Sequence, residues 1–157
     1  MGRARQIVLF LALSVLAFGA EQVQIVADSF FADENKQISE FKGNVKINKG
    51  NFDELVAKNV VVHFDKNRQP TKYIATGDAK FKVLIKQKHY NGNAEVLIYE
   101  PATQTYTLTK DAHLHEIDTD KHIYGEKIVI NQLSGTYNVN SDEKKPVKFI
   151  FQVEDKK

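Results

Sequence analysis

The chain of 157 residues has no cysteine, no tryptophan, one methionine and only three prolines. Without cysteine there is no disulfide framework, no thiolate metal site and no cysteine nucleophile. A chain that is 42% hydrophobic and 27% charged, with eight glycines, is neither collagenous nor disordered, and its length suits one domain with a sizeable core. Phosphate-cradling loops are missing as well, because Gly43, Gly77, Gly92 and Gly125 stand far apart. None of the five serines sits in a Gly-x-Ser-x-Gly elbow. Adjacent carboxylates such as Asp53-Glu54 and Asp142-Glu143 read as solvated turn charges. No catalytic constellation emerges, so the expectation is a protein that is not an enzyme and carries no cofactor and no metal.

A long hydrophobic run is also lacking. The longest, Ile7 to Phe18, is interrupted only by Ser14, follows Arg3 and Arg5, and leads into Gly19 and Ala20. Twelve residues are too few to cross a hydrocarbon core, which takes roughly 20. A basic start, a short apolar run and a small-residue exit describe a secretory signal peptide over residues 1–20, leaving one domain over residues 21–157 and an exported protein. Losing Arg3 and Arg5 with no acid reduces 22 Lys+Arg to 20, against 20 Asp+Glu, so the mature chain is neutral with histidine uncharged. A nucleic-acid binder keeps a basic excess, and that class is set aside.

Beyond Glu21 no helical stripe occurs. Apolar residues recur at every second position, the period of a strand. Val45 and Ile47 alternate with Asn44, Lys46 and Asn48; Phe81, Val83 and Ile85 alternate with lysines; Val147, Phe149, Phe151 and Val153 form a last strand candidate over residues 146–153. Val60-Val61-Val62 and Val96-Leu97-Ile98-Tyr99 are apolar on both faces. Turn signals fall at residues 48–51, 65–68, 91–93, 134–135 and 140–142. The fold class is therefore all-β, with many short antiparallel strands.

The chain also repeats. Tyr73-Ile74-Ala75-Thr76-Gly77-Asp78-Ala79 aligns with Tyr106-Thr107-Leu108-Thr109-Lys110-Asp111-Ala112 at an offset of 33, four of the seven positions being identical, and Gly43 lies 34 before Gly77. Such a period with strand content describes stacked units that bury their faces against one another. Phase matching places Val60, Val62, Leu97, Tyr99, Ile128 and Ile130 on one side, joined by Val45, Ile47, Phe81, Val83 and Leu114. A stack has open ends, and the apolar segment 146–153 leaves an edge that a partner strand can extend unless the charged tail blocks it. His113 and His115 share a strand face and read as a solvent-facing pair, whereas His63, His89 and His122 stand alone. Lys80, Lys82, Lys86 and Lys88 form a like-charged ridge, either a solvated face or a contact for phosphates.

Seven segments now follow in order: residues 23–28 (Val-Gln-Ile-Val-Ala-Asp), 41–47 (Phe-Lys-Gly-Asn-Val-Lys-Ile), 57–62 (Ala-Lys-Asn-Val-Val-Val), 76–81 (Thr-Gly-Asp-Ala-Lys-Phe), Gly92-Asn93-Ala94 running to Tyr99, 108–114 (Leu-Thr-Lys-Asp-Ala-His-Leu) and 124–128 (Tyr-Gly-Glu-Lys-Ile). Together they resemble the OstA-like family of lipopolysaccharide-transport proteins over essentially all of the chain beyond residue 20. The resemblance implies an elongated antiparallel β-jellyroll with open ends and an apolar interior. It further implies a periplasmic carrier or bridge that shields the lipid A acyl chains of lipopolysaccharide between the inner and outer membranes. Its implied partners are related jellyroll domains of the inner- and outer-membrane transport proteins, joined by edge-strand addition, and further copies joined end to end. Val23, Ile25, Phe81 and Tyr99 match positions on the family's ligand path. Two departures stand out: Pro101 replaces an aliphatic residue near Tyr99, and Lys110 replaces a turn glycine. A solid-core envelope scaffold, a hydrolase on a β fold and the membrane-anchored partner of the same fold are the competing readings.

Overall fold

In the computed structural model, residues 22–155 are described. The expected signal peptide and Lys156 and Lys157 lie outside them. Ten strands follow in order: β1 (Val23–Val26), β2 (Ser29–Asp33), β3 (Ile38–Lys49), β4 (Asp53–Phe64), β5 (Pro70–Ile85), β6 (Lys88–Glu100), β7 (Thr105–Glu116), β8 (Lys121–Asn131), β9 (Thr136–Asn140) and β10 (Lys148–Ile150). All belong to one antiparallel sheet, in which β3 to β8 are joined by successive hairpins.

Each long strand is broken near its middle. The register slips between Lys42 and Val45, Val56 and Asn59, Thr76 and Ala79, Asn93 and Val96, and Thr109 and Ala112. Bulges of this kind bend and twist a strand, and a row of them creases the whole sheet. In β3, β5 and β7 the crease is a pair of residues with positive φ: Gly43 (82°) and Asn44 (49°), Gly77 (85°) and Asp78 (50°), Lys110 (68°) and Asp111 (52°). The 33–34-residue repeat seen in the sequence is the spacing of this crease. It divides the sheet into two layers. The first holds β2, β9 and the half-strands 38–42, 59–64, 70–76, 96–100, 105–109 and 127–131; the second holds β1, β10 and the complementary halves.

The layers face each other across an apolar interior. Phe81 of the second stacks on Tyr106 of the first at 5.1 Å between ring centres, and Gln132 Nε2 donates to the Leu84 carbonyl oxygen at 2.9 Å. Inward residues form continuous cross-strand rows. In the first layer one row runs Phe30, Phe41, Val60, Ala75, Leu97, Leu108, Ile128, Val139. In the second a row runs Ile25, Ile47, Leu55, Phe81, Gly92, Leu114, Ile123, Phe149. Strand alternation puts every second side chain on these rows, and the antiparallel register lines them up. The all-β jellyroll expected from the sequence is the fold observed.

Two local expectations are corrected. Residues 91–93 are not a turn but the interior of β6, and the chain reverses at Lys86 and Gln87 instead. Gly92 is there because Phe81 lies over it: a Cβ at this position would run into the Phe81 ring. The last strand is shorter than the segment 146–153, and it pairs only with β8. Its apolar face is not buried, and Phe149, Phe151 and Val153 are exposed.

Candidate functional site

Folding along the crease brings the outer hairpins of the two layers together, and this side forms a mouth. Near β8 the mouth is closed by the Gln132–Leu84 hydrogen bond and by the Lys86 side chain lying close to Gly135. Near β1 it gapes. A cavity of about 200 Å³ lies there, walled by Val23, Ile47, Leu55 and Phe81 of the second layer and by Pro70, Tyr73, Tyr99, Pro101 and Tyr106 of the first. Lys49, Asp53, Glu54 and Gln69 form its rim.

The walls are aromatic by register. Tyr73, Tyr99 and Tyr106 are directly opposed on neighbouring strands, with ring centres 6.0 and 4.4 Å apart in that order. Burial, then the neighbouring Tyr99, pushes the Tyr73 phenol above its ordinary range. Burial, Tyr99 and Asp53 do the same for Tyr106. Both therefore stay protonated and leave the wall uncharged. The Tyr99 hydroxyl is buried without a hydrogen-bond partner. On the rim, Lys49 Nζ reaches across the mouth to 5.6 Å from the centre of the Tyr99 ring, and Lys46 Nζ lies 3.5 Å from Glu54 Oε2. An apolar chamber with a charged lip suits a molecule with a greasy portion and a charged head.

The sequence-predicted residues divide into three sets. Val23, Ile47, Phe81 and Tyr99 line this cavity. Ile25 is partly buried and packs against the core beside it. Val45, Val60, Val62, Val83, Leu97, Leu114, Ile128 and Ile130 are fully buried and do not line this cavity. Sequence reasoning missed Leu55, Pro70, Tyr73 and Tyr106 as cavity walls. The signal for the two tyrosines was present, since they are the first residues of the two aligned repeats. Asp53 and Glu54 were expected as free turn charges; both are half-buried at the rim.

Two outer-face expectations are corrected as well. The lysine ridge is not one surface. Lys80 and Lys82 project from β5, Lys86 sits in the following turn, and Lys88 Nζ lies 3.6 Å from the buried Glu116. His122 does not stand alone, because the β7–β8 register sets it opposite His115, with ring centres 4.0 Å apart. A second recess, about 550 Å³, lies on the outer face between Asn93, Asp111, His113, Glu126 and Lys148. Four charged side chains, Asp111, Glu126, Lys145 and Lys148, stand in its lining, more than the first cavity admits behind its rim.

Comparison with known proteins agrees with this architecture. A search of curated protein sequences gives no significant match. Among solved structures, the chain is similar to LptH, the LptA-homologous periplasmic component of the lipopolysaccharide transport device of Pseudomonas aeruginosa. The TM-score is 0.75 at 18% identity, covering 84% of this chain and 96% of that one, a likeness that speaks for the fold. The sequence profile of the family described as LptA/(LptD N-terminal domain) LPS transport protein matches residues 24–136. With the crease repeat, the open mouth and that match together, this chain belongs to the LptA/LptD N-terminal domain family of lipopolysaccharide transport proteins.

Proposed function

We propose that the protein is a periplasmic carrier that shelters the lipid A acyl chains of lipopolysaccharide between its two layers, and that chains enter by the mouth beside β1. The observation that carries this reading is the aromatic and aliphatic cavity between the layers, with charge confined to its lip. Hiding a methylene from water is worth about 0.8 kcal/mol, so a twelve-carbon chain gains at most roughly 10 kcal/mol. A membrane offers nearly the same, so the groove exchanges lipid close to balance and direction comes from outside this chain. The packed positions, including Val62, Leu97, Leu114 and Ile128, contact lipid only when the layers part further, as occupancy of the cavity would drive them to do.

The edges supply the second half of the proposal. At one end β1 and β2 expose Val26, Phe30 and Phe31; at the other β10 and the residues after it expose Phe149, Phe151 and Val153. Inward rows run unbroken to both ends. A second copy, or a related jellyroll domain at either membrane, continues the sheet by strand addition and extends the trough. Nothing in this role requires catalysis.

A photo-crosslinking residue at Tyr99 or Phe81 in the envelope should give lipopolysaccharide adducts, and one at the outward Lys82 should not. Equal labelling at all three would remove the mouth as the entry point. A concentration-dependent rise in mass by light scattering, lost on deleting residues 147–155, checks the end-to-end contact.

A further inference from the structure

We propose that the β7–β8 hairpin carries a divalent transition-metal site formed by His115, Asp120 and His122 on the outer face of the second layer. The three residues offer donor atoms that all fall within 4.8 Å of one another. Asp120 Oδ1 lies 2.9 Å from His115 Nε2 and 3.1 Å from His122 Nε2. Donors about 2.0–2.1 Å from a tetrahedral zinc are themselves roughly 3.3 Å apart, so the two Asp120–histidine separations already lie near that spacing and the ion draws in the two Nε2 atoms. Both imidazoles present Nε2 to the same oxygen; their rings are stacked 8° from parallel, so one ring must turn for the two lone pairs to converge on a single ion.

The hairpin itself explains the arrangement. Cross-strand register places His115 opposite His122, and Asp120 ends the turn with a φ of 53°, a left-handed position that aspartate tolerates. The surrounding groups orient the ligands as metal sites require. His113 Nε2 lies 2.9 Å from His122 Nδ1, and His113 Nδ1 lies 3.2 Å from Asn93 Oδ1. With a metal on His122 Nε2, its Nδ1–H donates to His113, and the His113 Nδ1–H donates to Asn93. Every group in the relay is then matched. Two imidazoles and one carboxylate suit zinc, copper or nickel and exclude calcium and magnesium, which take oxygen ligands. Half-exposed ligands leave a fourth position to water. The ion would staple β7 to β8, the strand that carries both β9 and β10.

The test uses the full chain lacking residues 1–20 in a non-coordinating buffer, with Zn²⁺ and Co²⁺ as probes. One equivalent of Zn²⁺ should bind by calorimetry, raise the melting temperature and be reversed by EDTA, and Co²⁺ should show visible ligand-field bands. Asp120→Asn and His122→Ala should each weaken binding at least tenfold while circular dichroism stays unchanged. His113→Ala, which spares the three ligands, should weaken it about tenfold. His89→Ala, at the exposed His89–Asp118 pair 3.3 Å apart, should have no effect. Binding that survives Asp120→Asn and His122→Ala, or the lack of a one-to-one complex, would overturn the site and leave only a hydrogen-bonded histidine ladder.

Discussion

The two ends of the creased sheet are built from the same repeat and finished differently. Toward β8 the interior is filled: Leu108, Leu114, Ile128 and Ile130 are buried almost completely, and Gln132 ties the layers across the mouth. Toward β1 the opposing side chains are Pro70, Tyr73 and Leu55, and a gap remains between them. The tyrosine rings pack on one another along one wall, and the space between them and Val23, Leu55 and Pro70 is left unfilled. The gap is confined to the mouth beside β1, while the interior behind it, including Val45 and Val60, is as fully buried as Leu114 and Ile128, and stability measurements can separate the mouth from that interior.

The largest contrast is expected from one truncation at each end. Leu114→Ala removes a fully buried side chain and leaves a new void, at a cost of about 2–5 kcal/mol. Leu55→Ala only enlarges space that already exists and should cost about 1–2 kcal/mol. Urea denaturation of both variants checks this, and equal losses would mean that the mouth is as tightly packed as the closed end.

Gly92→Ala probes the boundary between them. The added methyl group meets the Phe81 ring, and displacing that ring should cost about 1–3 kcal/mol. Phe81→Leu in the same chain should recover most of the loss, because the smaller side chain no longer lies over residue 92. A double-mutant cycle by denaturation with no coupling would break the assignment of this glycine to Phe81.

Much of this was legible in the sequence. The strand period, the 33-residue spacing and the inward phase of Val45, Val60, Leu97 and Ile128 follow from alternation alone, because each inward position must be apolar. What escaped was whatever depends on a neighbour distant in the chain. Asn91-Gly92-Asn93 has the composition of a turn, and only the ring of Phe81 above Gly92 shows why it is a strand. His122 looked isolated because its partner, His115, is supplied by hairpin register. Of the cavity walls, Tyr99 is marked by the family resemblance, whereas Tyr73 and Tyr106 look like ordinary core residues except that they open the two aligned repeats. That they enclose space, whereas Leu97 and Ile128 do not, depends on the facing layer.

The closed end should also respond to acid. Burial opposes ionisation of Glu116, but the Thr119 and Tyr90 hydroxyls donate to it and Lys121 and Lys88 stand beside it, and these outweigh burial to hold its pKa below the ordinary value. A depressed folded-state pKa gives stability that is present above the unfolded value near 4.5 and is lost as pH falls through the folded value. Glu116→Gln should therefore cost about 1–2 kcal/mol at neutral pH and flatten the decline of melting temperature below pH 4.5. An unchanged acid limb would place that sensitivity elsewhere.

The smallest effect is expected at the crease and has the opposite sign. Gly43 and Gly77 meet the positive-φ requirement without strain, but in β7, beside the closed end, Lys110 takes the same conformation at φ 68°. A left-handed backbone costs a residue with a Cβ about 1–2 kcal/mol, while glycine costs up to about 1 kcal/mol in extra unfolded-chain entropy. Lys110→Gly should thus stabilise the protein by about 0.5–1 kcal/mol, whereas Gly77→Ala should destabilise it, because its φ is 85° and its Cβ would press on the Lys58 side chain. Opposite shifts in the denaturation midpoint from two substitutions one repeat apart would show that the crease is a backbone device first. Shifts of the same sign would mean that the side chain of Lys110, exposed on β7, contributes more than its backbone strain takes away.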